Sequence, residues 1–282
     1  MEIAAPDFDL AMTLDSGQVF HWTKREAGFV GTIGEAAVSV RQHGDVLDFA
    51  GATAKTVARY FALDHSLGEI CAALPRDIAM NSARDFCCGL RIIRQPHWEC
   101  LAAFITSSMK QVAHIRQMSR AIRERFGEAK TVAGAEVHTF PKPEVVAGLS
   151  ESALRECGLG YRAKNLLATA QRIAGGEANL LGWAELEDAE LRARLCELPG
   201  VGPKVANCVM LFAYERLRAF PIDVWIERVL KEQYFPRRRK VTAKALREFC
   251  DSYFGEHGGY AQQYLFHHAR TTAKRARKSA AK

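Results

Sequence analysis

The chain has no run of about 18 consecutive apolar residues, which excludes a helix able to span a membrane. Its first residues, MEIAAPDFDLAM, are acidic and lack the basic, apolar and small-residue succession of a signal peptide, so a cytoplasmic protein is expected. A close cysteine series is also missing. The eight cysteines, Cys71, Cys87, Cys88, Cys100, Cys157, Cys196, Cys208 and Cys250, are scattered along the chain, and neither a metal nor a cofactor is expected. In a reducing compartment they should be reduced and mostly buried. No internal repeat stands out.

What is present describes a globular chain. Hydrophobic residues make up 48% of the 282, enough for two or three small domains with sizeable cores. The formal charge of +7 suits a polyanionic partner. Residues 1–50 favour strands: apolar-rich runs at 19–22, 29–33, 37–40 and 46–49, with turns at Gly34-Glu35 and Gly44-Asp45. Ser16-Gly17-Gln18, ahead of them, reads as a turn. From Thr53 the apolar spacing becomes helical. Residues 77–94 read as a helix that turns irregular at Cys88-Gly89, with a boundary at Gln95-Pro96. Helices are expected over 97–109 and 112–127, parted by the polar Thr106-Ser107-Ser108, and 131–148 reads as a connection. Arg237-Arg238-Arg239-Lys240 is a basic turn, open to a phosphate contact or to no role at all. The last helix is expected from Tyr260 to about Ala269, followed by a basic, disordered tail over 271–282.

The organising stretch is 195–225, LCELPGVGPKVANCVMLFAYERLRAFPIDVW. Leu191, Leu195 and Leu198 give one helix an apolar stripe, and Pro199, Gly200 and Gly202 end it. Pro203 suits the first turn of the next helix, where its missing N–H costs nothing. Val205, Cys208, Val209 and Phe212 supply the buried face of that helix. Such a helix-hairpin-helix points free backbone N–H groups and a positive helix end at a phosphate. Lys204 stands in that first turn, where a cation is disfavoured, and this suits a lysine that acts as a neutral nucleophile. A plain phosphate-contacting lysine is the alternative. Asp223 is a natural N-cap for the helix after it, and the return loop can bring it to face Lys204.

These residues carry a resemblance. LPGVGPKVANCV with the downstream PIDVW is similar to the signature of the helix-hairpin-helix-Gly/Pro-Asp superfamily, and SGQVFHW, ECLAAFITSS, GLGYRAK and YAQQYLF resemble its 8-oxoguanine DNA glycosylase/AP lyase branch. The resemblance implies an α+β fold: a small N-terminal antiparallel β-sheet domain with linking helices over 1–95, then a helical body over 96–270 with its hairpin motif at about 191–214. It implies Lys204 as nucleophile and Asp223 as its partner carboxylate. It implies a damaged-base pocket of Gly17, Cys208, Gln262 and Phe266. The Gly17 carbonyl would accept the N7–H that 8-oxoguanine has and guanine lacks. DNA contacts would come from Gly200, Gly202, Met109, Lys110, His114, Tyr161, Arg162 and Trp225. The implied partner is double-stranded DNA with an oxidised purine, bound by a monomer that would lie on the nucleoid in a bacterium.

Three positions depart from the family pattern. Met109, Lys110 and Gln111 stand where it has three asparagines, His114 where it has an arginine that reads the opposite cytosine, and Trp225 where it has a histidine. The first two put a strict preference for opposite cytosine in doubt. Two other readings stay open: a glycosylase of this fold for another base, such as an alkylated purine, and a DNA-binding protein without activity.

Overall fold

The computed structural model describes every residue except Ala27, Arg239, Ala281 and Lys282. Strands β1 (Glu2–Ala4), β2 (Thr23–Arg25), β3 (Gly28–Ile33), β4 (Ala36–His43) and β5 (Val46–Ala50) form one antiparallel sheet in the order β1-β5-β4-β3-β2, with helix α1 (Leu10–Asp15) between β1 and β2 in the chain. Helices α2 (Ala54–Tyr60), α3 (Leu67–Ala73) and α4 (Ile78–Phe86) lead to α5 (His97–Ser107) and α6 (Val112–Phe126). A hairpin of β6 (Ala129–Val132) and β7 (Ala135–His138) follows, then α7 (Pro143–Ala147), α8 (Glu151–Leu154) and α9 (Arg162–Ala174). The chain ends with α10 (Asp188–Cys196), α11 (Pro203–Phe212), α12 (Val224–Val229), α13 (Ala243–Tyr253) and α14 (Gly258–Ala280). Among the described residues no helix is long and apolar enough to cross a membrane.

The sheet forms because its inward positions match across strands. Phe29 pairs with Val40, and Val40 with Phe49, which makes a buried row of aromatic and β-branched side chains. That row joins Phe8, Tyr60, Phe61 and Trp22 in the smaller core. The larger core belongs to the helical body and also takes Leu67, Ile70, Met80, Cys87, Leu90 and Ile92. The region before residue 95 is therefore shared between the two cores.

Several local expectations change. β1 and α1 had no sequence signal strong enough to place them, and 19–22 lies outside the sheet with Val19, Phe20 and Trp22 buried. The helix read over 77–94 stops at Phe86. Beyond it residues 87–89 form a turn, with Gly89 at φ +83°, and the chain runs without regular structure to Pro96; its amides find tertiary partners: Ile93 N donates to Gln18 Oε1 (2.9 Å) and Gln95 N to the Phe212 carbonyl (2.7 Å). The connection read over 131–148 holds the β6–β7 hairpin, which packs beside β3 and β4. The expected disordered tail is corrected as well: α14 continues through Ala280, because RTTAKRARKSA is built of helix-tolerant residues with no glycine or proline to stop it. Arg239 of the basic turn and the last two tail residues lie outside the described residues.

Sheet and body are joined by a buried ion pair. Arg123 on α6 is 4% exposed and Glu99 on α5 is 6% exposed, and the two are in direct contact. Arg123 also donates to Thr32 Oγ1 (3.0 Å) on β3 and to the His138 carbonyl (3.1 Å) on β7, so one guanidinium ties both helices to the sheet and the hairpin. Arg123→Met leaves buried Glu99 without its charged partner, with only the neutral His21 ring at 3.1 Å beside it, and we expect a loss of about 3–5 kcal/mol in urea unfolding. A loss below about 1 kcal/mol would show that the pair does not hold the two parts together.

Candidate active site

The hairpin is formed as its sequence demands. Gly200 has φ +81°, and a Cβ there would stand 2.8 Å from the Asn165 side chain on α9, so conformation and close packing both require glycine. Thr169 on α9 donates to the Pro199 carbonyl (2.9 Å), which fixes the turn to the body. Gly202 caps α11 in extended conformation, its Cα open to solvent-side space, and Pro203 is the first helical residue. The amides of Lys204 and Val205 lie in the first turn, where a helix has no internal acceptor for them.

Lys204 is half-buried. Its ammonium lies 5.2 Å from the ring centroid of Phe104 on α5, and Cys208 stands one turn further along α11. Asp223 is the N-cap of α12: Oδ1 accepts from Trp225 N (3.0 Å) and Ile226 N (2.9 Å). Burial pushes its carboxyl above the usual aspartate range, against the opposing pull of its two amide donors and of the positive charges of Lys204 and Arg270. Asp223 thus lies within electrostatic reach of Lys204. Cys208 is 3% exposed, and burial pushes its thiol up to about 11. It stays neutral at ordinary pH and offers sulfur as an apolar surface.

The base-pocket residues come from three separate parts of the chain. Gly17 has φ +92°, and a Cβ there would meet the Phe266 ring edge at 3.1 Å and Arg270 Nη1 at 2.9 Å. Phe266 and Gln262 stand one turn apart on α14. Gln262 is 4% exposed and its Oε1 has no hydrogen-bond partner among the described residues. An unpaired buried acceptor costs about 1–3 kcal/mol, a cost that a donor on a ligand would remove.

The α5–α6 turn is exposed. Met109 is 92% exposed with φ +53°, a strained conformation for a residue with a side chain, and Lys110 and His114 are exposed beside it. Tyr161 is exposed too, whereas Arg162 is buried. The Arg162 guanidinium donates to the Ser108 carbonyl through both Nε (2.8 Å) and Nη2, and to the Leu159 carbonyl (3.3 Å). In the DNA-free chain the Arg162 guanidinium, expected to contact DNA, is held against the carbonyl that precedes Met109. Trp225 is half-buried next to Asp223, with Arg228 5.7 Å from its ring.

Sequence reasoning missed Phe104 beneath Lys204 and Arg270 beside Gly17. Arg270 follows Phe266 by four residues on α14, so helical spacing was the available signal. A cleft of about 450 Å³ between the sheet and α6, lined by His21, Trp22, Arg116, Arg120 and Arg123 among others, was also unforeseen. Among the described residues no group of three or more His, Cys, Asp or Glu side chains is placed to hold a metal ion.

Comparison with known proteins agrees with this geometry. Residues 1–101 match the family described as 8-oxoguanine DNA glycosylase, N-terminal domain, and residues 102–252 match the HhH-GPD superfamily base excision DNA repair protein. The probable N-glycosylase/DNA lyase of Methanothermobacter thermautotrophicus is 31% identical, covering 96% of both chains. The Clostridium acetobutylicum 8-oxoguanine glycosylase/lyase, solved with double-stranded DNA containing cytosine opposite 8-oxoguanine, is 32% identical with a TM-score of 0.90 over 97% of this chain and 98% of its own. A 3-methyladenine DNA glycosylase from Archaeoglobus fulgidus superposes with a TM-score of 0.81 over 96% of this chain and 98% of its own at 19% identity, which shows a shared fold only. With both family models matched and relatives aligned end to end, the chain belongs to the 8-oxoguanine DNA glycosylase branch of the HhH-GPD superfamily.

Proposed function

We propose that this protein is a bifunctional DNA glycosylase/AP lyase that excises 8-oxoguanine from duplex DNA. The observation that carries the reading is the half-buried Lys204 over the Phe104 ring at the start of the hairpin helix, with the cap-fixed Asp223 carboxyl within electrostatic reach of it. A DNA-binding protein without activity has no use for a half-buried lysine set over an aromatic ring with a buried carboxyl near it. A glycosylase for alkylated purines has no use for the nucleophile itself, and Gly17 beside Phe266 suits an oxidised base.

The strand is held by phosphates at the hairpin amides, and the damaged nucleotide leaves the stack for the pocket. The base lies between the Cys208 sulfur and the Phe266 ring, with its Watson–Crick edge at Gln262. The Gly17 carbonyl accepts the N7–H of 8-oxoguanine. Guanine offers a lone pair there instead, and two facing acceptors in a buried site reject it. Lys204 Nζ, once neutral, bonds to C1′ as the bond from C1′ to the base breaks with its electron pair leaving on the base. Asp223 is the carboxylate placed to steady the cationic sugar, and its raised affinity for protons suits it to take one from Lys204. The imine formed between Nζ and the opened sugar makes the C2′ proton acidic. Its loss expels the 3′ phosphate and nicks the strand.

At the opposite strand, Met109 fills the gap by apolar contact and His114 offers one hydrogen bond where an arginine offers two. A bidentate contact discriminates by about 1–3 kcal/mol, so this pair should discriminate less. Arg162 contributes by fixing the turn that carries Met109.

Three outcomes follow. Borohydride should trap a covalent complex with an 8-oxoguanine duplex, and Lys204→Gln should abolish it and slow excision on the order of a thousand-fold or more. A wild type that traps with an alkylated purine or an abasic site but not with 8-oxoguanine would move the substrate to another lesion. Excision rates opposite the four bases should lie within about ten-fold of one another; a hundred-fold preference for cytosine in single-turnover assays would refute the reading of Met109 and His114. The third concerns Asp223→Asn, which keeps the cap and deletes the charge. The folded carboxyl titrates above 3.8, so at neutral pH its ionised form costs stability, and that cost vanishes as pH falls below this value. The variant should be at least as stable as wild type at neutral pH, lose that advantage in acid, and excise at least about 100-fold more slowly. Urea melts at both pH values check the stability, and a variant weaker than wild type at neutral pH would contradict it.

A further inference from the structure

The loop that presents Gly17 has its neighbouring carbonyls occupied. Asp15 O accepts from Arg270 Nη2 (2.6 Å), Ser16 O from Gln263 Nε2 (3.2 Å) and Gln18 O from Gln95 Nε2 (2.8 Å). The Gly17 carbonyl accepts no hydrogen bond among the described residues. One turn of chain therefore has three carbonyls satisfied from within and one left for a ligand.

Arg270 differs from the two glutamines in where it stands. Its Nη1 lies 2.9 Å from the point a Cβ on Gly17 would occupy, and its guanidinium is 5.3 Å from the Phe266 ring centroid. It follows Phe266 by one turn and Gln262 by two on the same face of α14. Asp15 is gripped a second time, through its carboxylate, by Arg116 on α6 (2.8 Å). Burial and the Arg116 charge make the Arg270 cation costly, and Asp15 and Asp223 offset that cost.

We propose that Arg270 is a positioning residue that sets the aim of the Gly17 carbonyl, by clamping the 15–17 loop to the helix face that carries Phe266 and Gln262. This rests on the 8-oxoguanine reading above, since that base supplies the donor the carbonyl would meet. The guanidinium is suited to the task because its planar fork reaches a carbonyl while its face covers the ring, which a lysine cannot do. Selection of the oxidised base then depends on a residue that need not touch it.

Arg270→Met keeps the length and the packing on Phe266 but removes the clamp, and Arg270→Lys restores one donor. The test combines single-turnover excision of 8-oxoguanine and of guanine, borohydride trapping on an abasic site, and hydrogen exchange of peptides covering 13–20. For Arg270→Met we expect the preference for 8-oxoguanine over guanine to fall at least ten-fold. Excision of 8-oxoguanine should fall at least ten-fold more than abasic-site trapping. Exchange over 13–20 should quicken, and Arg270→Lys should recover part of each. Unchanged preference, or parallel loss of excision and trapping, would overturn the inference. A wild type inert on 8-oxoguanine sinks the proposed function instead; the exchange measurement then still decides whether Arg270 holds the loop, because unchanged exchange overturns the clamp by itself.

Discussion

The site depends on one constraint: a loop without regular structure has to be held still inside the protein. The carbonyl of Asp15, at the end of α1, and those of Ser16 and Gln18 beyond it have no helix or strand partner, so side chains from distant segments satisfy them. Gln18 is fully buried and donates to the Thr13 and Arg91 carbonyls while accepting from Ile93 N. Arg91, 3% exposed, donates to the Ala62 and His65 carbonyls and brings that strand of chain under the loop. Gln95 and Gln263 close the set. Buried polar networks of this kind are costly when any member is missing, and rigid when complete. Here the rigidity is spent on aiming a single carbonyl.

The same economy of conformation appears at Lys204 and Asp223, in electrostatic form. The hairpin sets Lys204 in the first turn of α11, over an aromatic ring and one turn from a neutral thiol. Asp223 is committed as a cap, so its position is fixed by two backbone amides and not by the lysine. Neither group depends on the other for its place. That independence leaves both free to change charge during a reaction, and a mutually locked ion pair would resist such a change. The cost is borne by the fold, in the buried carboxyl of Asp223 and the unpaired amide oxygen of Gln262.

Much of this was legible in the sequence because local rules and function coincide. The Pro-Gly-Val-Gly-Pro-Lys run must turn and restart a helix, and that requirement alone located Gly200, Gly202 and Lys204. Asp223 was legible as a cap. The strand pattern from Phe29 to Phe49 was legible because alternation and turn residues agree. What escaped depends on long-range partners. The segment after Phe86 looks helical in isolation but turns at 87–89 and then follows its bonds to Gln18 and Phe212. The β6–β7 hairpin is short and needs the sheet beside it. The carbonyl partner of Arg162 at Ser108 lies 54 residues away, and Arg270 looks like the start of a solvated tail until Gly17 is found against it.

The measurement that bears most directly on the whole account is a crystal structure of the Lys204→Gln variant with a duplex carrying one 8-oxoguanine. The account predicts the base between Cys208 and Phe266, its N7 donating to the Gly17 carbonyl, its Watson–Crick edge on Gln262, and C1′ facing position 204. A base seated elsewhere, or one inserted with its N7 away from Gly17, would contradict it.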